Sequence, residues 1–277
     1  MLNSHTVSSR PGSWAPPWWA VFLIGLALWI AATAATFLTG DIITLPTVIL
    51  IGSFLVPVTA VVWYLDHDPS PVLSPRRILV AFIIAGSIGV LAASLLEYWL
   101  VGTGMVGNLE VGLIEEFVKA ALIVVVAMGI QAFHTRDGIV LGAAVGFGFG
   151  ALESSGYALA SLFVVQNHRL VLSLGSVVFT ELIRGVLAPF GHGLWTGIMG
   201  GVIFAAARNG RMRLTPVVVG AYLLVSVLHG AFDTIGGITG YVIISIIGLV
   251  PLVWLWISGD SRGGVIPRRR REAVLAG

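Results

Sequence analysis

The chain has 277 residues, of which 57% are hydrophobic and only 10% charged, with a formal net charge of +2. A soluble domain carries roughly 25% charged residues, so these figures exclude a soluble globular protein and point to a polytopic membrane protein organised as one membrane domain. The absence of cysteine excludes disulfides, thiolate chemistry and cysteine metal ligands.

In chain order, residues 1–17 are polar and rich in proline and serine, and are expected to form a flexible N-terminal segment. Trp14, Trp18 and Trp19 suit a membrane interface. The first apolar run is too long for a cleavable signal peptide and lacks a small-residue cleavage site. At roughly 20 residues per span the expected fold is an all-α, polytopic membrane helical bundle of about eight transmembrane helices. Their predicted positions are residues 18–39, 43–65, 78–101, 110–133, 138–165, 188–207, 214–233 and 239–258. Residues 166–187 read as a loop with a short interfacial helix, and 259–277 as a basic tail, leaving 18–258 as the membrane domain. No nucleotide-binding glycine loop is present, and no nucleic-acid partner is expected. Arg10, Arg76, Arg77, Arg136, Arg208, Arg211, Arg213 and Arg268–Arg271 fall on one side of this arrangement. By the positive-inside rule both termini are predicted to be cytoplasmic.

The stretch Gly112-Leu113-Ile114-Glu115-Glu116-Phe117-Val118-Lys119 stands out. Each ionised group at bilayer depth costs roughly 2.5–3.5 kcal/mol on insertion scales. On a helix Glu115 and Lys119 are i, i+4 neighbours and Glu116 and Lys119 are i, i+3 neighbours, so the lysine can compensate one carboxylate and free the other for chemistry. The plainer alternative is a snorkelling cluster at a helix end. Other groups lie at the same depth, however. Glu115 and Glu116 begin the predicted fourth helix from the outer side, and Glu153 lies about 22 Å into the fifth at 1.5 Å per residue. His192 is near the outer start of the sixth, and His229 and Asp233 end the seventh. Snorkelling charges have no reason to converge from four helices, so the pattern predicts a site.

In His229-Gly-Ala-Phe-Asp233 the two polar groups are i, i+4 and face one way. The aspartate can accept the second imidazole N–H and fix the tautomer, as around metal-binding histidines; otherwise the pair is a polar helix cap. Glycines at 138, 142, 146 and 150, and at 193, 197 and 201, mark close helix packing. Glu153 shares the first glycine face and is therefore expected inside the protein.

Glu115-Glu116-x-x-Lys119, Phe149-x-x-x-Glu153 and His229-x-x-x-Asp233, in this order, resemble the PrsW family of intramembrane proteases. That family is grouped with the CAAX prenyl endopeptidases and the Abi proteins. His192, in Arg184-x7-His192-Gly-Leu-Trp, resembles the family's additional histidine, and the likeness covers about residues 78–258. Glutamate at 153 departs from the CAAX enzymes and argues against prenylated substrates. The resemblance implies an intramembrane endopeptidase of the bacterial plasma membrane, cutting a single-span membrane protein near its extracytoplasmic face. Membrane-anchored anti-sigma factors are the substrates with which the family is associated. It further implies His192, His229 and Glu153 as ligands of Zn²⁺, with Glu115 or Glu116 as general base and its neighbour held by Lys119 or Arg184. There is no HExxH, and a metal-free mechanism, with one glutamate activating water and a histidine binding the oxyanion, stays open. A non-catalytic scaffold or immunity protein of the same fold and a proton-coupled transporter are the competing classes. The missing inverted repeat speaks against the transporter.

Overall fold

In hydrocarbon an unpaired backbone polar group costs several kcal/mol, so long apolar runs must fold as helices. The computed structural model describes residues 16–67, 70, 72–102, 105–235 and 237–259. The N-terminal segment and basic tail, with Trp14, Arg10 and Arg268–Arg271, lie outside the described residues except for 16, 17 and 259. The described residues form eight long helices, α1 (Trp18–Thr39), α2 (Leu45–His67), α3 (Pro75–Leu100), α4 (Met105–Val126), α5 (Thr135–Ser161), α6 (Leu174–Ala206), α7 (Pro216–Ile235) and α8 (Gly237–Gly259). Seven are long and apolar enough to cross a membrane. The exception is α4, whose 22 residues include Glu110, Glu115, Glu116 and Lys119.

Two predicted boundaries are corrected. The fourth helix starts at Met105, not at about 110. Glu115 and Glu116 therefore sit in its middle, about 15 Å from its first residue at 1.5 Å per residue, and do not begin it. The sixth helix starts at Leu174 and runs for 33 residues, so 174–187 is helix and not loop. Ser176, Glu181 and Arg184 give this part a polar look, but Glu181 accepts a 2.9 Å hydrogen bond from Ser53 Oγ on α2, and Arg184 is ion-paired with Glu153. His192 consequently lies deep in a continuous helix. Between α5 and α6, strands β1 (Phe163–Gln166) and β2 (Arg169–Leu172) pair antiparallel. Asn167 and His168 make the two-residue turn with φ of 50° and 61°, the positive values that a tight hairpin requires.

The bundle is organised around α5, of whose span 72% is buried against 11% for α1. Its glycine ridge brings α6 to backbone contact: a Cβ on Gly142 or Gly146 would run into the carbonyl oxygens of Thr196 and His192. Two π-helical turns, Ala85–Gly89 in α3 and Pro189–Gly193 in α6, flank this seam. Such bulges frequently accompany functional sites, and the second contains His192. Antiparallel packing gathers Arg76, Arg77, Arg136, Arg208, Arg211 and Arg213 at one end of the bundle. There Arg77 donates to the carbonyls of Val126 and Met128, and Arg136 to that of Trp256.

Gly146→Ala is expected to destabilise by about 1–3 kcal/mol through overpacking against a backbone that cannot yield. A methyl group added at Gly156 would meet nothing within 4 Å, so Gly156→Ala serves as the neutral control. Thermal unfolding in detergent reads the difference; equal midpoints for the two variants would show that the α5–α6 seam is loose.

Candidate active site

Four helices each deliver one part of a buried polar cluster. From α4, Lys119 is 0% exposed, as is Glu116, and Glu115 is 5% exposed, which rules out the snorkelling arrangement. The Lys119 ammonium donates to Glu115 Oε2 at 2.9 Å, to Glu116 Oε1 at 2.8 Å and to His192 Nδ1 at 2.9 Å. Its three N–H groups are thus all engaged. Beneath it, 4.2 Å from Nζ, lies the ring of Phe149 from α5, a cation–π contact. Phe149 also packs on His192, with centroids 5.7 Å apart. The aromatic of Phe149-x-x-x-Glu153 therefore floors the site, one turn before the carboxylate.

The imidazoles are held in defined tautomers by their partners. His192 Nδ1 faces the ammonium and must accept, so Nε2 carries the hydrogen and points at Glu153 Oε2, 2.8 Å away. Glu153 is also gripped by Arg184 Nη2 at 2.9 Å. Of the two holders expected for the Glu115–Glu116 pair, Lys119 or Arg184, it is Lys119 that reaches it, while Arg184 restrains Glu153. His229 Nδ1 donates to Glu116 Oε1 at 3.0 Å, so Glu116 fixes its tautomer. The helical spacing predicts Asp233 for that task, but Asp233 Oδ2 stands 3.5 Å from Nε2, on the opposite side of the ring from Nδ1. Trp195, buried to 1% exposure, packs on His229 at 4.8 Å between centroids and on His192 at 6.1 Å.

His229 Nε2 is left as a lone pair facing two carboxylates, Asp233 Oδ2 at 3.5 Å and Glu115 Oε2 at 3.6 Å. Three acceptors turned toward one another repel unless positive charge lies between them. Glu115, His192 and His229 each offer an atom within 4.8 Å of the others, and two imidazoles with one carboxylate match a catalytic zinc donor set; the Lys119 ammonium here engages Glu115 Oε2 and His192 Nδ1, so a metal would take its place at those two atoms. The residues present thus fit a divalent metal. The set differs from the predicted one: Glu115 joins the two histidines, while Glu153 sits on the far nitrogen of His192. The tight α5–α6 seam accounts for that, since it draws Glu153 to the side of His192 that Arg184 also reaches.

Sequence reasoning overlooks Glu97 on α3. It is part-buried, with an Oε1 that has no hydrogen-bond partner among the described residues, and it lies within electrostatic range of Glu115, Glu153, His229 and Lys119. With Glu97 counted, five carboxylates face two permanent cations, Lys119 and Arg184, a further reason for the cluster to attract positive charge. The signal is present in the sequence, because Glu97 is the one acid in a span of mean hydropathy 2.5.

A buried carboxylate–imidazole–lysine centre inside a multi-pass helical bundle defines an intramembrane hydrolase. The family described as "PrsW family intramembrane metalloprotease" matches residues 74–256. The chain belongs to the PrsW family, and is a membrane peptidase. It is 26% identical over 191 residues to Protease PrsW of Geobacillus kaustophilus (strain HTA426), covering 66% of this chain and 78% of that protein. No solved structure matches.

Proposed function

We propose that this peptidase cuts a single-span membrane protein, such as a membrane-anchored anti-sigma factor, using a water activated by Glu116 beside a metal held by Glu115, His192 and His229. The observation that carries the reading is the convergence of those three donors next to Glu116 Oε2, a buried carboxylate oxygen without a partner among the described residues. Leaving such an atom unpaired costs about 1–3 kcal/mol or more, so it favours an ordered water, the reagent that hydrolysis needs. Oε1 of the same carboxylate is fixed by Lys119 and His229, which aims Oε2. Glu116 Oε2 accepts a proton from the water as its oxygen adds to the scissile carbonyl carbon. The same proton then passes to the amide nitrogen as the C–N bond breaks. Zn²⁺, when bound, would supply Lewis-acid polarisation of the carbonyl and acidification of the water. Lys119 holds Glu115 and Glu116 in place through its N–H groups, Arg184 and Glu153 orient His192, and Trp195 and Phe149 exclude bulk water.

The test is metal content of purified protein together with peptidase activity before and after chelation. Wild type is expected to retain stoichiometric zinc. Glu115→Gln, His192→Ala and His229→Ala should each lose it, whereas Glu153→Gln, which removes only an orienting partner, should weaken affinity about 10–100-fold. Full metal retention by Glu115→Gln would remove Glu115 from the ligand set.

We further propose a bacterial plasma-membrane location with both termini cytoplasmic. The support is the gathering of arginines at one end of the bundle. Because the chain lacks cysteine, Gly210→Cys gives a single label site. It should resist an impermeant thiol reagent in intact cells and react after lysis; labelling in intact cells reverses the topology.

A further inference from the structure

Away from the active centre, an open-sided groove of about 550 Å³ runs between α4 and α7 over α6. Phe117, Val124, Met199, Ile203, Val218 and Tyr222 give it apolar walls. Among its lining residues Arg213 alone is charged. That side chain is exposed and makes no ion pair or side-chain hydrogen bond among the described residues. It belongs to the segment joining Ala206 of α6 to Pro216 of α7, at the arginine-bearing end of the bundle where a bilayer places its headgroups. Away from Arg213 it is lined by Phe117 and by Tyr222, whose Oη donates to the Leu113 carbonyl at 2.8 Å.

We infer that this groove is a binding site for an anionic phospholipid, with an acyl chain between α4 and α7 and the phosphate on Arg213. The apolar wall and single free guanidinium are complementary to a lipid with one fatty chain inserted and a negative headgroup at the rim. A substrate helix is a poor occupant. From Val124 to Phe117 the α4 wall extends only about 10 Å at 1.5 Å per residue, far short of the roughly 30 Å of hydrocarbon that a spanning helix must cross. Glu116 adjoins Phe117 in sequence, so an inserted chain would press on the helix that carries the catalytic pair.

Native mass spectrometry of the delipidated full chain, titrated with dioleoyl phosphatidylglycerol or dioleoyl phosphatidylcholine, tests the site. Wild type should prefer phosphatidylglycerol about five-fold, the contribution of one arginine at a membrane surface. Arg213→Ala should abolish the preference, while Arg211→Ala, which removes a neighbouring charge outside the groove, should leave it intact. Ala121→Phe, at an exposed groove position, should lower retention of both lipids. Equal retention of the two lipids by wild type, or equal loss from Arg211→Ala and Arg213→Ala, would overturn the inference in favour of unspecific surface charge. Neither result depends on the protease chemistry being as proposed.

Discussion

Glu116→Gln is expected to lower the cleavage rate of a single-span substrate by roughly 10²–10⁴, the usual contribution of a general base, with membrane accumulation unchanged. The amide keeps a carbonyl oxygen for Lys119 and His229, the two partners of Oε1, but has no basic oxygen at the Oε2 position. One buried charge disappears while Lys119 retains Glu115 as counter-ion, so the folded state is not left with an unpaired ion. Metal content separates the two glutamates: Glu116→Gln should keep zinc and Glu115→Gln should lose it, although both are inactive. Cleavage of a co-expressed single-span substrate, normalised to protein in the membrane, is the measurement. A Glu116→Gln protein as active as wild type would falsify the general-base assignment.

Lys119→Met should have the largest effect on stability. The ammonium is the shared partner of Glu115, Glu116 and His192 at 0% exposure. Removing one side of a buried ion cluster typically costs 3–5 kcal/mol because the remaining charges are uncompensated, a large part of the stability of an ordinary domain. The variant is expected to be depleted from the membrane. Lys119→Arg should not rescue it, since a planar guanidinium does not fit a fully enclosed ammonium site. The triple change Glu115→Gln, Glu116→Gln, Lys119→Met should recover accumulation while remaining inactive, because replacing a whole buried cluster by neutral groups is close to neutral. Equal depletion of the triple and single variants would place the defect in packing and not in charge.

How far the sequence discloses these features follows from where each energetic cost is met. Glu115, Glu116, Lys119 and Glu153 are legible because charge inside an apolar run needs an internal partner. The glycine ridges are legible because their period matches a helix face. The first half of α6 is not, because its polar residues find their partners at a distance: Glu181 Oε1 is bonded by Ser53, 128 positions away in the chain, and Arg184 is paired with Glu153, 31 away. Local composition cannot reveal partners that only the fold supplies, so a long continuous helix reads as a loop with a short interfacial helix. The same blindness hides that Glu115 lies with His192 and His229 in the candidate donor group, and that Glu116 is the partner of His229 Nδ1. Each of these assignments depends on which face of a neighbouring helix is presented, set along the α5–α6 seam for His192 and Glu153 and along the close α4–α7 contact at Gly112 and Gly230 for Glu116 and His229. The hairpin's two short β-branched and aliphatic runs, Phe163–Gln166 and Arg169–Leu172, around Asn167-His168 do carry a local signal, which the apolar surroundings mask.

The π turn at Pro189–Gly193 follows Arg184 and contains His192, two residues of one helix that both grip the same Glu153 carboxylate. Their angular phase is thereby fixed by a wide turn that sets how much helix lies between them. Deleting a single residue there would rotate everything beyond it by about 100° and shift it about 1.5 Å, sending the imidazole away from the carboxylate that the guanidinium still holds. The β1–β2 hairpin, only two residues wide at its tip, carries no such phase and can lengthen or shorten freely. Across evolutionary time the chain can therefore tolerate insertions just before α6, whereas the count of residues from 184 to 192 is as constrained as their identities.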